Sequence, residues 1–186
     1  MFFIQSIDEK ILLLFQSAHT SFLDKFFWYV SEAWVFLPLW LWALIKIFKI
    51  YSRTDVFKII LAVIITIFLS DQISNVFKNY FKRLRPTHHI ELKDKIKVVN
   101  NYYGGKYGFY SAHASNSAAI TCLALILIKN SRNKYWLLIY PFLSGISRMY
   151  LGVHYFSDVL AGWMMGSILA MLVYWMFYKY SGMNKN

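Results

Sequence analysis

The chain is 186 residues long, a single domain's length, yet apolar residues make up 58% of it and charged residues only 16%, against about 45–50% and about 25% in soluble domains. An aromatic content of 20% excludes a disordered chain, and 8 Gly, 3 Pro and a single Cys exclude a collagen-like or disulfide-built scaffold. What remains is an integral membrane protein with a mean hydropathy of +0.41 and a net charge of +11, from 20 Lys+Arg against 9 Asp+Glu, and cations are costly in hydrocarbon.

Hydropathy predicts an all-α, polytopic membrane helix bundle of about five transmembrane helices behind a short N-terminal amphipathic, interfacial helical segment. The expected organisation is one integral-membrane domain over 1–186, with interfacial helices in 1–31 and the membrane core in 33–178. In chain order, 7–17 places Ile7, Ile11, Leu14 and Phe15 near helical spacing in a segment too short to span. A second short helix is predicted over 22–30, capped by Ser21 with Asp24 in its first turn. The first span covers 33–50, with Lys46 and Lys49 placed to snorkel; the second covers 56–77 and the third 112–128. Pro141 and Gly145 predict a kink in the fourth, 135–150. In the fifth, 159–178, Gly162 and Gly166 have the spacing that lets helix backbones approach closely. No basic stretch precedes the apolar ILLLF run, so it is not read as a signal peptide. Cys122 has no disulfide partner.

Alternation of these spans sorts the cations onto two sides, nine on the side of the 51–55 and 129–134 loops and eleven on the other. The positive-inside rule therefore assigns no orientation. Eight of the eleven crowd into 78–111, more than a topogenic role explains, which points to an anionic ligand. Attraction to acidic headgroups, worth about 1 kcal/mol per cation, accounts for Lys93, Lys95 and Lys97.

Three polar constellations fall at helix ends on that same side. The first carries Lys78, Arg85 and Pro86 at the exit of the second span. The second, Tyr110-Ser111-Ala112-His113, enters the third span; the last runs from Ser147 and Arg148 through His154 to Asp158. Lys, Arg and His converging on a carboxylate-poor face describe a phosphate site. Arg85 and Arg148 can grip phosphoryl oxygens bidentately, and Lys78 adds a point charge. Ser111 stands where a helix begins, so its hydroxyl and nearby N–H groups can bind an anion. His154 and Asp158 are spaced i, i+4; a carboxylate there can hold the proton of one ring nitrogen and leave the other to attack. His113 is left for proton transfer to the leaving oxygen.

These pieces resemble the signature of the type 2 phosphatidic acid phosphatase superfamily: K-x6-R-P, P-S-G-H and S-R-x5-H-x3-D. The first and third match in full; in the second, Tyr110 replaces the proline and Ala112 the glycine, while Ser111 and His113 remain. The resemblance, which covers about residues 56–178, implies metal-independent phosphate-ester hydrolysis without a cofactor. In it His154 forms a phosphohistidine with Asp158 orienting it, and His113 acts as acid and then base. Lys78, Arg85, Arg148, Ser111 and the Ala112 N–H bind the phosphoryl oxygens. Its bacterial members face the periplasm, which implies an inner-membrane enzyme with its site on that side. The 111–117 run and the Ser/Asp-rich stretch before Lys78 are similar to the lipid A 4′-phosphatase-like branch; undecaprenyl diphosphate and phosphatidylglycerophosphate are competing substrates. A rival of another class is an inactive lipid-binding or transport protein that keeps the anion pocket.

Plainer readings are expected elsewhere. His19 reads as a hydrogen-bonded histidine, and His88 and His89 as loop residues. Asp71 and Ser147 read as supporting residues, Asp71 as an orienting partner for the basic groups. Lys82 and Arg83 are assigned to headgroups. The Tyr/Gly-rich 100–110 stretch is either a mobile lid or an interfacial aromatic belt. Neither a metal site nor a nucleic-acid partner is expected; the partners are the bilayer and a membrane lipid phosphate.

Overall fold

The computed structural model describes residues 2–180, and among these the fold is helical throughout. The helices are α1 (Phe2–Ser17), α2 (Ser21–Val30), α3 (Leu37–Ile50), α4 (Arg53–Phe81), α5 (Ala112–Leu127), α6 (Ile139–Tyr150) and α7 (Phe156–Tyr180). Three stretches, Ala33–Ile50, Arg53–Phe81 and Phe156–Phe177, are long and apolar enough to cross a membrane, and α5 is a shorter apolar helix of 16 residues. The expected helix bundle is thus observed, with α6 shorter than its predicted span: only 12 residues are α-helical, after a 3-10 lead-in at Arg132–Leu138.

Toward the polar loops, helix α4 turns large apolar side chains outward and small polar ones inward. On α4, Phe57, Ile64, Phe68 and Val76 are exposed, whereas Thr66, Ser70 and Ser74 are buried. Small polar side chains let helices close on one another where apolar burial supplies no driving force. Ser70 Oγ meets Ser115 Oγ at 2.6 Å across the α4–α5 contact. Helices α5 and α7 form the most extensive pair. Gly162 and Gly166 make that pairing possible, since a Cβ at Gly162 would come within 2.6 Å of the Ser111 carbonyl oxygen and one at Gly166 would strike the Ser115 backbone. At the opposite end from the polar loops, Ala43, Ile47, Val56, Ile59, Ala124, Leu127 and Leu137 form an apolar cluster.

Local departures from expectation have physical reasons. The helix predicted from residue 7 begins at Phe2, and its first described side chains, Ile4 to Ile7, are exposed, so the added turn is not held by packing on the core. The cap of α2 is Thr20, whose Oγ1 accepts from Leu23 N at 3.2 Å, and not Ser21. Pro141 does not kink α6: it lies in the first turn, where its missing N–H costs nothing, and the irregular backbone is the 3-10 segment before it. Gly145 instead accommodates Trp163 and Val159 of α7.

The N-terminal helices are docked onto the core. Asp24 of α2 accepts from Lys97 Nζ at 2.7 Å, from Tyr150 Oη at 2.7 Å, and lies 2.6 Å from His19 Nδ1. Burial pushes the Asp24 carboxyl up, but these three partners outweigh it and hold it at about 2. His19 is hydrogen-bonded, as expected. Lys97 is not a headgroup contact; it is tied to α2. Two apolar grooves, of about 580 and about 450 Å³, open on the flanks of the bundle, and neither is lined by a candidate site residue.

Candidate active site

The candidate side chains come from helix ends and from the turns beside them. At about 1.5 Å per residue, the 29 residues of α4 rise about 44 Å, more than a hydrocarbon core of about 30 Å. Its last turn, with Lys78, therefore emerges into the interface. Lys82 ends the helix in the left-handed conformation (φ 48°), its N–H bonded to Lys78 O at 3.0 Å, and this turn sends Arg83-Leu84-Arg85 back across the helix end. The strand-like stretch pairs with the 106–108 backbone: Arg85 N donates to Lys106 O at 3.1 Å and Gly108 N to Arg83 O at 2.9 Å. The 100–110 segment is thereby pinned as a wall of the site, with Arg85 Nε donating to Tyr107 O at 3.1 Å; it is not a detached lid.

Ser111 is the N-cap of α5, accepting from Ala114 N at 3.4 Å. Ala112 is the first helical residue, so its N–H belongs to the orphan donors of a helix start. His113 follows on an exposed position of the first turn, within electrostatic reach of Arg148, His154, Arg85 and Lys78. Ser111 N donates to Asp158 O at 3.0 Å, which joins the start of α5 to the start of α7. Arg148, in the last turn of α6, is buried and anchored by Nη2 on Ser31 O at 3.0 Å and by Nη1 on Tyr102 Oη at 3.4 Å. Its Nε is a buried donor without a partner among the described residues.

His154 stands in the 151–155 turn, outside the membrane-spanning helices and 2% exposed. The turn is possible because Gly152 takes φ +68°, a conformation costly for other residues. His154 precedes the helix: α7 starts at Phe156, and Asp158 in its first turn lies back toward His154. Asp158 Oδ2 accepts from Tyr155 N at 3.1 Å and lies 3.5 Å from His154 Nδ1, just beyond a formed hydrogen bond. Gly108 marks the point of convergence: a Cβ there would lie 3.1 Å from Asp158 Oδ2, 3.2 Å from Arg85 Cγ and 3.6 Å from His154 Nδ1. Burial first, with the charges of Arg85 and Arg148, takes the His154 imidazole down to about 4 against the pull of Asp158. The ring is neutral at physiological pH, with Nδ1 toward the carboxylate and Nε2 left for chemistry.

The supporting residues have identifiable partners. Asp71 accepts from Asn116 Nδ2 at 2.9 Å, which braces the α4–α5 contact, and its charge also reaches Lys78 on the same helix. Ser147 Oγ donates to Ser144 O at 2.7 Å within α6, so it supports that helix and does not face the pocket. Arg83 is a correction of another kind. Assigned to headgroups from sequence, it is bonded through Nη1 to Asp158 Oδ1 at 2.5 Å and to Ser157 Oγ at 2.7 Å. Its Nη2 bonds Asp8 Oδ2 at 2.6 Å. Asp8 carried no functional reading in the sequence; a carboxylate on the apolar face of an amphipathic helix was the available signal.

Basic groups and two histidines gathered at the end of membrane helices define the class: a membrane-embedded lipid phosphatase. A family model, the PAP2 superfamily, matches residues 55–181, and the chain belongs to that superfamily. It is 32% identical over 184 residues to a lipid A 4′-phosphatase of Porphyromonas gingivalis, with 94% of this chain and 74% of that protein covered. The crystal structure of a transmembrane PAP2-type phosphatidylglycerolphosphate phosphatase from Bacillus subtilis matches with a TM-score of 0.70 at 25% identity, covering 95% of this chain and 87% of that one. That of Aquifex aeolicus LpxE matches with a TM-score of 0.68 at 25% identity, covering 90% of this chain and 94% of that one. The chain is a multi-pass membrane protein like these relatives.

Proposed function

We propose that the protein removes phosphate from lipid A by a metal-independent double displacement, at the outer face of the bacterial inner membrane. One observation carries the mechanism: Asp158 beside His154 Nδ1, at 3.5 Å, reserves Nε2 as the nucleophile. The Nε2 lone pair attacks phosphorus while the bond to the lipid oxygen breaks, and His113 donates the proton that this oxygen takes up. His113 then accepts a proton from water as the water oxygen attacks phosphorus and the P–N bond breaks, which restores neutral His154. Lys78, Arg85 and Arg148, with the Ser111 hydroxyl and the Ala112 N–H, take the charge on the equatorial oxygens. The 16 residues of α5 rise about 24 Å, less than a hydrocarbon core of about 30 Å, and His113 stands exposed on its first turn, where it can meet a lipid phosphate.

Likeness to the Porphyromonas gingivalis lipid A 4′-phosphatase over 94% of this chain supports the substrate; the periplasmic orientation rests on the habit of the superfamily's bacterial members. The Bacillus subtilis structure, with the higher TM-score, favours phosphatidylglycerophosphate as the second reading. The test is phosphate release by the purified protein from lipid A, phosphatidylglycerophosphate, undecaprenyl diphosphate and phosphatidic acid, with and without EDTA. Lipid A is expected to turn over fastest, with no loss in EDTA. A preference for another lipid overturns the substrate, and loss in EDTA overturns the metal-free mechanism. In sealed right-side-out vesicles the phosphate is expected outside; release only to the lumen reverses the orientation.

A further inference from the structure

We propose that Asp8 and Arg83 are positioning residues of the reaction, a relay in which helix α1 holds Arg83 and Arg83 holds the carboxylate that orients the nucleophile. The inference rests on the reading above, in which Asp158 orients His154.

Asp8 is 1% exposed, and a carboxylate buried to that degree is unfavourable unless fully paired. It is paired: Ser157 N donates to Oδ1 at 2.9 Å, and Ser157 Oγ and Arg83 Nη2 donate to Oδ2 at 2.5 and 2.6 Å. The other fork of Arg83 spans Ser157 Oγ and Asp158 Oδ1. Its Cζ lies 4.2 Å from the centroid of the Tyr155 ring, a cation–π contact that adds to the hydrogen bonds holding the guanidinium. The two oxygens of Asp158 therefore have separate partners, Oδ1 the guanidinium and Oδ2 the His154 side. A carboxylate gripped on one oxygen cannot rotate its other oxygen away from the imidazole.

Helix α1 needs no buried acid in order to lie on a membrane. Its outer face, with Ile4 and Leu14 exposed, does that, and Leu12 anchors the inner face. Asp8 lies one turn before Leu12 on that inner face, aimed at the residue preceding Asp158. The interfacial helix is thus part of the active-site scaffold. Neither Asp8 nor Arg83 is among the phosphate-gripping groups, so their loss is expected to act on turnover and not on substrate binding.

The experiment measures kcat, KM and thermal unfolding for Asp8→Asn, Arg83→Lys, Gln16→Ala and His154→Ala in detergent. Gln16 is the control for docking alone. It ties α1 to the core through Tyr150 O at 3.0 Å and Lys97 N at 2.9 Å, away from Asp158. Asp8→Asn is expected to lower kcat at least about tenfold with KM within about twofold. Arg83→Lys, which keeps the charge but loses the fork, is expected to fall between wild type and Asp8→Asn. Gln16→Ala is expected to lower the unfolding temperature while kcat stays at the wild-type value. Wild-type kcat in both Asp8→Asn and Arg83→Lys overturns the relay. So does a parallel fall of kcat and unfolding temperature across all three, Gln16→Ala included, which marks a purely structural role. Should Asp8→Asn not fold, Arg83→Lys against Gln16→Ala carries the same comparison. Activity remaining in His154→Ala overturns instead the reading on which the relay rests.

Discussion

His154 owes its chemistry to its surroundings. A histidine exposed to water releases its proton near pH 6.5; burial and the two nearby arginines bring this one to about 4. Between those values the folded chain binds fewer protons than the unfolded chain. The stability linked to His154 is thus complete above about pH 6.5 and declines as pH falls toward about 4. Titration of histidine-labelled protein by NMR, with the His154 signal identified by its loss in His154→Ala, is expected to give a midpoint near 4; a midpoint at 6.5 or above contradicts this environment. At this scale the sequence was legible where residue type and spacing carry the chemistry: Lys78, Arg85, Ser111, His113, Arg148, His154 and Asp158 are all delivered to one end of the bundle. Arg83 and Asp8 were not legible. Arginine beside a membrane reads as a headgroup contact until its partner, 75 residues away both upstream and downstream, is seen. Lys97 was misread for the same reason, since Asp24 lies 73 residues from it in the chain.

Elements were legible to the extent that local pattern decides them. The apolar runs predicted α3, α4, α5 and α7, the amphipathic spacing predicted α1, and a capping residue with a first-turn acid predicted α2. Boundaries followed finer chemistry: the Thr20 side chain, one residue before Ser21, makes the capping bond of α2, and first-turn Pro141 is harmless to α6. The Gly162/Gly166 pair was readable as a packing device, and it sets the distance between the two helices that carry His113 and Asp158. Gly166→Leu forces a side chain into the Ser115 backbone. It is expected to destabilise the protein by about 1–3 kcal/mol, read as a lower unfolding temperature in detergent, with activity falling as α5 and α7 part. An unchanged unfolding temperature would show that the helices do not meet there.

For the whole molecule, the +11 charge is a surplus spent unevenly. Arg83 is paired with Asp8 of α1 and with Asp158 of α7, and Lys97 with Asp24 of α2. Lys78, Arg85 and Arg148 are left concentrated around the His154–Asp158 pair, which is where the proposed function seats the phosphate. The helix bundle was legible from composition alone because hydrocarbon admits few other backbones. The docking of α1 and α2 over the active site was not, because it depends on buried polar pairs between segments remote in sequence. The central claim is that two displacements occur at phosphorus, the first by His154. It is tested most directly by the stereochemical course of hydrolysis of a lipid bearing an isotopically chiral thiophosphate ester. Two successive in-line displacements are expected to return the phosphorus with retained configuration. Inversion, the outcome of a single attack by water, would contradict a phosphohistidine intermediate.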